Sequence, residues 1–211
     1  MIAAMSKAGP EYATVAPTTT TPTAVRNLPS GFESASWDKV PAAFLPAMRE
    51  AFREKRFPVL LWGPPGRGKS YAAALLYSSI QGRAVWIRAV EFIRAIQTCR
   101  RDGSVVMPGA LYECGESSLW KSRVISPDVL FVDDIGLRAP TESQYELLFE
   151  LFDRREGKPT VYTSNLSPNQ LAEIYDDRIA SRICRGTRIE FGGADRRMES
   201  VKSIKLTNNT Q

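Results

Sequence analysis

From Phe32 onward, apolar and polar positions alternate between two rhythms along the chain. Phe44, Leu45, Met48 and Phe52 recur at the spacing of one helix face and predict a helix within Pro41–Lys55. The run FPVLLW that follows is too short for a helix and rich in strand formers, so it predicts a buried strand. The same reading gives a helix over 69–80, a strand over AVWIRA and a helix over 90–100. Residues 101–127 contain glycine and keep no period; they predict irregular chain with a short helix around 117–123. VLFV, at 129–132, reads as another buried strand. Thr141 and Gln144 match a capping box, opening a helix whose apolar stripe is Tyr145, Leu148, Leu151 and Phe152. PTVYTSN predicts a strand, Ser167 caps a short helix, 177–185 is helical up to Gly186, and RIEF is a last edge strand. Strands alternating with helices in this way predict an α/β fold, a parallel sheet with helices on both faces.

Residues 1–31 have a different texture, rich in Thr, Pro and Ala and including PTTTTPTA. Such a segment buries too little apolar surface to fold and is expected to be a disordered arm. The folded domain is then expected over 32–197, with 198–211 as a tail. A chain of 211 residues is long enough for one such domain with a proper core. No stretch approaches the ~18 apolar residues of a membrane helix, and MIAAMSKAGP has no apolar segment of signal-peptide length. A cytoplasmic protein with no membrane partner is the expectation.

Composition narrows the chemistry. The chain has no histidine, which removes His-ligated metals, Ser-His-Asp triads and histidine general bases. Cys99, Cys114 and Cys184 are widely spaced and form no C-x-x-C pair, which argues against a zinc site or a disulfide framework. The net charge is +5, and from Asp177 onward eight basic residues stand against four acidic ones. That balance suits a polyanionic partner, and it equally suits a solvated basic face.

The stretch LLWGPPGRGKS places Gly63, Gly68, Lys69 and Ser70 in the G-x-x-x-x-G-K-[ST] pattern, between a predicted strand and a predicted helix. Glycines let successive backbone N–H groups turn toward one anion, and the helix N-terminus adds partial positive charge. Gly63, Pro64, Pro65, Gly66, Arg67, Gly68, Lys69, Ser70 and Tyr71 are therefore the candidate nucleotide-binding residues. Lys69 would reach the β- and γ-phosphates of ATP, and Ser70 would ligate Mg²⁺. Such a loop works with a carboxylate on a nearby strand. Asp133, ending VLFVD, is the candidate metal aspartate, and Asp134 the acid that orients or deprotonates the attacking water. Thr163, Ser164 and Asn165 end the strand PTVYTSN; they either form a turn or bring Asn165 to that water.

GPPGRGKS, VLFVDDIG, TVYTSNLS and DRIASRICRGTRIE follow the same order as in the DnaC/IstB-like AAA+ ATPases. The chain resembles that family over about residues 32–197, and Asp-Asp in the second motif is typical of the clade. The family comprises bacterial and phage helicase loaders and transposition helper ATPases, related to the initiator DnaA. The resemblance implies that Asp133 is the Walker B metal aspartate, Asp134 the catalytic acid and Asn165 the sensor-1 residue. It also implies that an arginine of DRIASR, Arg182 first and Arg178 second, acts on the ATP of a neighbouring subunit. Phe32 and Trp37 correspond to the linker near the adenine in the family, and would serve equally as core. Two departures stand out. Residues 1–31 offer no partner-binding domain of the family's kind, and about twenty residues after RIEF leave a minimal or absent C-terminal lid, with Arg196 or Arg197 as a lid-type sensor.

The resulting expectation is a DnaC-like loader for a replicative helicase, active as a homo-oligomer with shared ATP sites on single-stranded DNA. A transposition helper serving a transposase is the alternative. From another class, the chain would be a nucleotide-gated binding module with little turnover. For DNA contact, Arg100, Arg101, Lys121, Arg123 and Trp120 form either a basic and aromatic single-strand platform or a solvated loop around a buried tryptophan.

Overall fold

The structure, a computed structural model, describes residues 24, 26–106, 112–136 and 140–193. Its elements in chain order are α1 (Phe44–Arg53), β1 (Val59–Trp62), α2 (Lys69–Ser79), β2 (Ala84–Arg88) and α3 (Ala89–Asp102). A short hairpin follows, β3 (Val105–Val106) and β4 (Glu113–Cys114), then α4 (Glu116–Leu119), which continues as a π-helical turn over Trp120–Ile125. The second half holds β5 (Val129–Ile135), α5 (Glu142–Arg154), β6 (Thr160–Ser164), α6 (Pro168–Tyr175), α7 (Asp177–Cys184) and β7 (Thr187–Glu190). The capping boxes at Thr141/Gln144 and Ser167/Gln170 are both formed.

Five parallel strands make one sheet in the order β2-β5-β6-β1-β7. Alternate side chains along each strand face opposite layers. Leu60, Ile87, Leu130, Val132 and Tyr162 meet α3, α5, α6, α7 and the 116–125 segment. Val59, Leu61, Val129, Phe131 and Val161 meet α1 and α2. Burial on both faces is why these strands read as unbroken apolar runs.

Two sequence expectations are corrected, and one left open, the place of Trp120, is decided for the buried tryptophan. Residues 101–127 are not simply irregular, since α3 runs on to Asp102 and the β3–β4 hairpin is inserted after it. Two-residue strands are too short to leave a periodic signature. On α5 the buried positions are Leu147, Leu148, Leu151 and Phe152; Tyr145 is only half-buried because its hydroxyl reaches out to Asp176 at 2.5 Å. Trp120 is 4% exposed and belongs to the core, where its ring meets Phe92 edge-on at 5.1 Å. Its Nε1–H donates to Glu116 at 3.2 Å and the Arg154 guanidinium lies over it at 4.9 Å, so it is no stacking platform for a base.

The domain boundaries at 31 and 197 fall near the limits of the described residues. Within those limits Arg26 is docked on the domain, its guanidinium donating to the carbonyls of Ile80, Gly82 and Ala84. Arg196 and Arg197 lie outside the described residues. Among the described residues no helix is long and apolar enough to cross a membrane.

Candidate functional site

Strand order brings the carboxyl ends of β1, β6 and β5 side by side, and a cavity of about 710 Å³ opens there. Ligands of open parallel sheets bind at this edge, where loops from adjacent strands diverge. The loop after β1 supplies one wall. Gly63, Gly66 and Gly68 all have positive φ (139°, 76° and 90°). At Gly63 even a Cβ would sit 2.3 Å from the Phe191 carbonyl oxygen, so no other residue fits without displacing backbone. Gly68 precedes α2, whose first-turn N–H groups have no intrahelical acceptor and form a site suited to an anion.

Lys69 is 5% exposed, and a buried ammonium needs acceptors. Its Nζ donates to the carbonyls of Gly63 (2.7 Å) and Pro64 (2.8 Å) and to Asn165 Oδ1 (2.9 Å). The Asn165 amide in turn donates to Asp134 Oδ1 at 3.1 Å. Asn165 thus bridges the loop lysine and the second acid, although 96 residues separate it from Lys69.

Asp133 is 5% exposed and its Oδ1 accepts from the Thr163 hydroxyl at 2.6 Å. Strict strand alternation would send Asp133 and Asp134 to opposite faces. Instead β5 is bulged: Val132 pairs with Tyr162 but Ile135 with Ser164, so one extra residue is accommodated on β5. Asp134 takes φ 59°, and both acids line the cavity. After the bulge, Ile135 packs in the α3/α5 layer with Val132. Three hydroxyls hold this turn: Asp134 N–H donates to Thr163 Oγ1 (2.9 Å), Ser164 Oγ donates to Ile135 O (2.9 Å), and Gly136 N–H donates to Tyr175 OH (2.9 Å). Burial, with Asp134 nearby, pushes the Tyr175 phenol above its ordinary value, so it stays neutral and a hydrogen-bonding strut.

Of the residues singled out in the sequence, Gly66, Gly68, Lys69, Ser70, Tyr71, Asp133, Asp134 and Asn165 line the cavity. Gly63 and Pro64 contribute carbonyls to Lys69. Pro65 and Arg67 do not line it, and Arg67 Nε and Nη1 are buried with no hydrogen-bond partner among the described residues. Phe32 lines the cavity and packs edge-on against Tyr71 and Trp86. Trp37 does not; partly buried, it packs against the core layer that holds α1 and α2.

Lys39, Arg88, Glu91 and Arg94 also line the cavity and were not singled out by sequence. The one available signal was Arg88, which ends a strand at the ligand-bearing edge. Among the described residues no cluster of three or more His, Cys, Asp or Glu could hold a metal unaided. Cys99, Cys114 and Cys184 are free thiols; burial pushes Cys99 and Cys184 upward, which keeps them protonated.

Arg178 and Arg182 lie outside this cavity, on α7, with their guanidinium groups 5.0 and 4.8 Å from the centre of the Phe149 ring. Arg182 also pairs with Asp153 at 3.1 Å. Arg100 forks onto Glu116, and Arg101 pairs with Asp102.

Residues 44–183 match the family model described as IstB-like ATP binding protein. A putative insertion sequence ATP-binding protein of Sinorhizobium fredii is 27% identical over 162 residues, covering 72% of this chain and 50% of that protein. The chain thus spans about half the length of this curated relative. A crystal structure of the DnaC helicase loader superposes with a TM-score of 0.62 at 18% identity, covering 78% of this chain and 100% of that one. The initiator DnaA, bound to AMPPCP and single-stranded DNA, gives 0.57 at 20% identity, covering 72% of this chain and 46% of that one. The sheet is that of the P-loop AAA+ fold, and the chain belongs to the IstB-like ATP binding protein family, within the DnaC/IstB-like AAA+ clade.

Proposed function

We propose that the protein hydrolyses ATP in this cavity, as an oligomer assembled on single-stranded DNA, and that it serves a replicative helicase as a loader. The observation that carries the ATPase reading is the continuous line from Lys69 through Asn165 to Asp134, with Asp133 beside it, at one cavity edge. The residues present fit a nucleotide with its metal. The loop has the positive-φ glycines that let its backbone close round phosphates. Lys69 donates to carbonyl and amide oxygens that a phosphate would replace, and Ser70 and Asp133 offer a hydroxyl and a carboxylate to Mg²⁺. Mg²⁺, when bound, neutralises charge on the β- and γ-phosphates. Lys69 draws the terminal phosphate toward Asn165, whose amide orients the attacking water, and Asp134 accepts that water's proton. Hydrolysis by one subunit is slow, because Arg182 and Arg178 stand on α7 outside the subunit's own cavity and would act on a neighbour's.

DnaA with single-stranded DNA and the DnaC loader, as structural neighbours, support the DNA and helicase partners. With Trp120 buried, DNA contact falls to backbone-binding cations such as exposed Lys121 and half-buried Arg123. The test is ATPase rate per subunit against protein concentration, with and without single-stranded DNA. A rate that rises with concentration and with DNA is expected; one that does neither refutes the shared-site reading, and absence of hydrolysis leaves a nucleotide-gated binding module.

A second reading, a transposition helper serving a transposase, draws support from the insertion-sequence relative. Binding assays against a purified replicative helicase and a purified transposase, each with ATP, separate the two.

A further inference from the structure

We propose that Thr163 is the positioning residue of this site, fixing both acids through a single hydroxyl. This rests on the ATPase reading above. Thr163 is 2% exposed, and its Oγ1 donates to Asp133 at 2.6 Å while accepting the Asp134 N–H at 2.9 Å. A hydroxyl has one proton and two acceptor lone pairs. The Asp134 N–H fixes where the lone pairs point, and that directs the proton at Asp133.

The contact lies where the sheet can no longer hold the chain by itself. Register between β5 and β6 breaks after Val132, and Asp134 adopts φ 59°, a conformation that costs a non-glycine residue energy unless its surroundings impose it. Thr163 and Ser164 both bridge the break from the β6 side, Ser164 reaching the Ile135 carbonyl beyond it and Thr163 the two acids themselves. With Thr163 in place Asp134 turns toward the cavity instead of the opposite layer, and Asp133 keeps one oxygen tied and the other free to face a ligand. Loss of the hydroxyl would take an acceptor from the half-buried Asp134 N–H and a donor from the buried Asp133 carboxylate, which the chain would relieve by moving the bulge. Nucleotide held by the loop and Lys69 would be affected little, because Lys69 takes its acceptors from Gly63, Pro64 and Asn165.

Thr163→Val preserves shape and removes the hydroxyl, and Thr163→Ser keeps the hydroxyl and removes the methyl. Two quantities are read in the full chain: affinity for a fluorescent ATP analogue, with EDTA and with Mg²⁺, and kcat. For Thr163→Val the metal-free affinity should match wild type, the gain in affinity on adding Mg²⁺ should shrink, and kcat should fall about 10²-fold, as for a displaced catalytic group. Thr163→Ser should recover both to within a few-fold.

The proposal is overturned if Thr163→Val keeps wild-type kcat and Mg²⁺ gain, or if Thr163→Ser is as impaired as Thr163→Val. If Thr163→Val does not fold, Thr163→Ala is compared with Thr163→Ser by the same criteria. Wild type and Asp134→Asn run alongside separate the two failures. An active wild type, an inactive Asp134→Asn and an active Thr163→Val sink this inference alone. A wild type that binds Mg²⁺ and ATP without turnover sinks the ATPase reading, and the affinity split still decides the role of Thr163.

Discussion

Arg182→Ala separates a structural arginine from one that acts across a subunit boundary, because the two roles differ greatly in size. Within its own subunit Arg182 makes an ion pair with Asp153 at 3.1 Å, the two side chains being 25% and 52% exposed. Pairs this open to solvent contribute about 0–1 kcal/mol. Its guanidinium lies 4.8 Å from the centre of the Phe149 ring, worth roughly 0.5–1 kcal/mol. Truncation should therefore cost about 0.5–2 kcal/mol of stability, or roughly 1–8 °C in Tm for a domain of this size. The protein stays folded. An arginine acting in trans on phosphoryl transfer contributes about 10³–10⁵ in rate, equivalent to roughly 4–7 kcal/mol of barrier, which no local loss on α7 can imitate. The assay is ATPase per subunit at a concentration where wild type is stimulated, with thermal melting and nucleotide titration as controls. Arg182→Ala should bind ATP normally and lose the stimulated rate. Mixed with Lys69→Ala, which lacks the loop lysine but keeps α7, it should regain activity, since an intact cavity then meets an intact arginine. An Arg182→Ala protein that hydrolyses ATP at the wild-type stimulated rate refutes the reasoning; loss of the rate in Arg178→Ala instead moves the role one helical turn along.

Asp134→Asn keeps the side-chain shape and an acceptor for Asn165 but cannot take a proton, so ATP binding should persist while turnover falls about 10²–10⁴-fold; single-turnover kinetics check this, and unchanged turnover would make the second acid structural. Trp120→Ala empties a core site 4% exposed and should cost about 3–5 kcal/mol by chemical denaturation, whereas Trp120→Phe should leave affinity for single-stranded DNA unchanged. A large loss of DNA affinity in a well-folded Trp120→Phe would return that residue to the DNA surface. The Tyr145 hydroxyl and the N–H groups of Ile179 and Arg178 hold the Asp176 carboxyl below its ordinary 3.8. The unfolded chain therefore takes up that proton first as pH falls, so the contribution to stability is complete above about pH 3.8 and is lost below it. Asp176→Asn, which keeps a capping oxygen, should flatten this part of the acid-unfolding curve; an identical acid limb in both proteins would dismiss the effect.

Most of the fold was legible because the central strands β1, β5 and β6 are buried on both faces and helices such as α1, α3 and α5 on one, which writes two different periods into the chain. Capping boxes at Thr141 and Ser167 added sharp boundaries, since their side chains bond backbone only three residues away. The β3–β4 hairpin was not legible, because two residues a side carry no period. The cavity was half legible. The glycine loop and the paired acids stood out as strings, while Lys39, Glu91 and Arg94 carried no mark beyond ordinary charge and Arg88 only its place at a strand end. Trp120 lay beside basic residues in sequence, yet Phe92 and Arg154, from two other stretches of chain, enclose it together with Glu116 one helical turn back.

The sequence by itself determined an alternating α/β chain, a phosphate-cradling glycine loop between a strand and a helix, and a pair of acids ending a buried strand. Those properties are local, set by neighbours within a few residues. Only the tertiary structure decided that β6 lies between β1 and β5, so that Asn165 joins Lys69 to Asp134. Only the tertiary structure, too, decided that adjacent aspartates share one cavity. That depends on a one-residue bulge held by hydroxyls of Thr163, Ser164 and Tyr175, at least 28 residues away along the chain. Pairing between strands is fixed by the burial of both sheet faces at once, a condition no single segment of the chain contains.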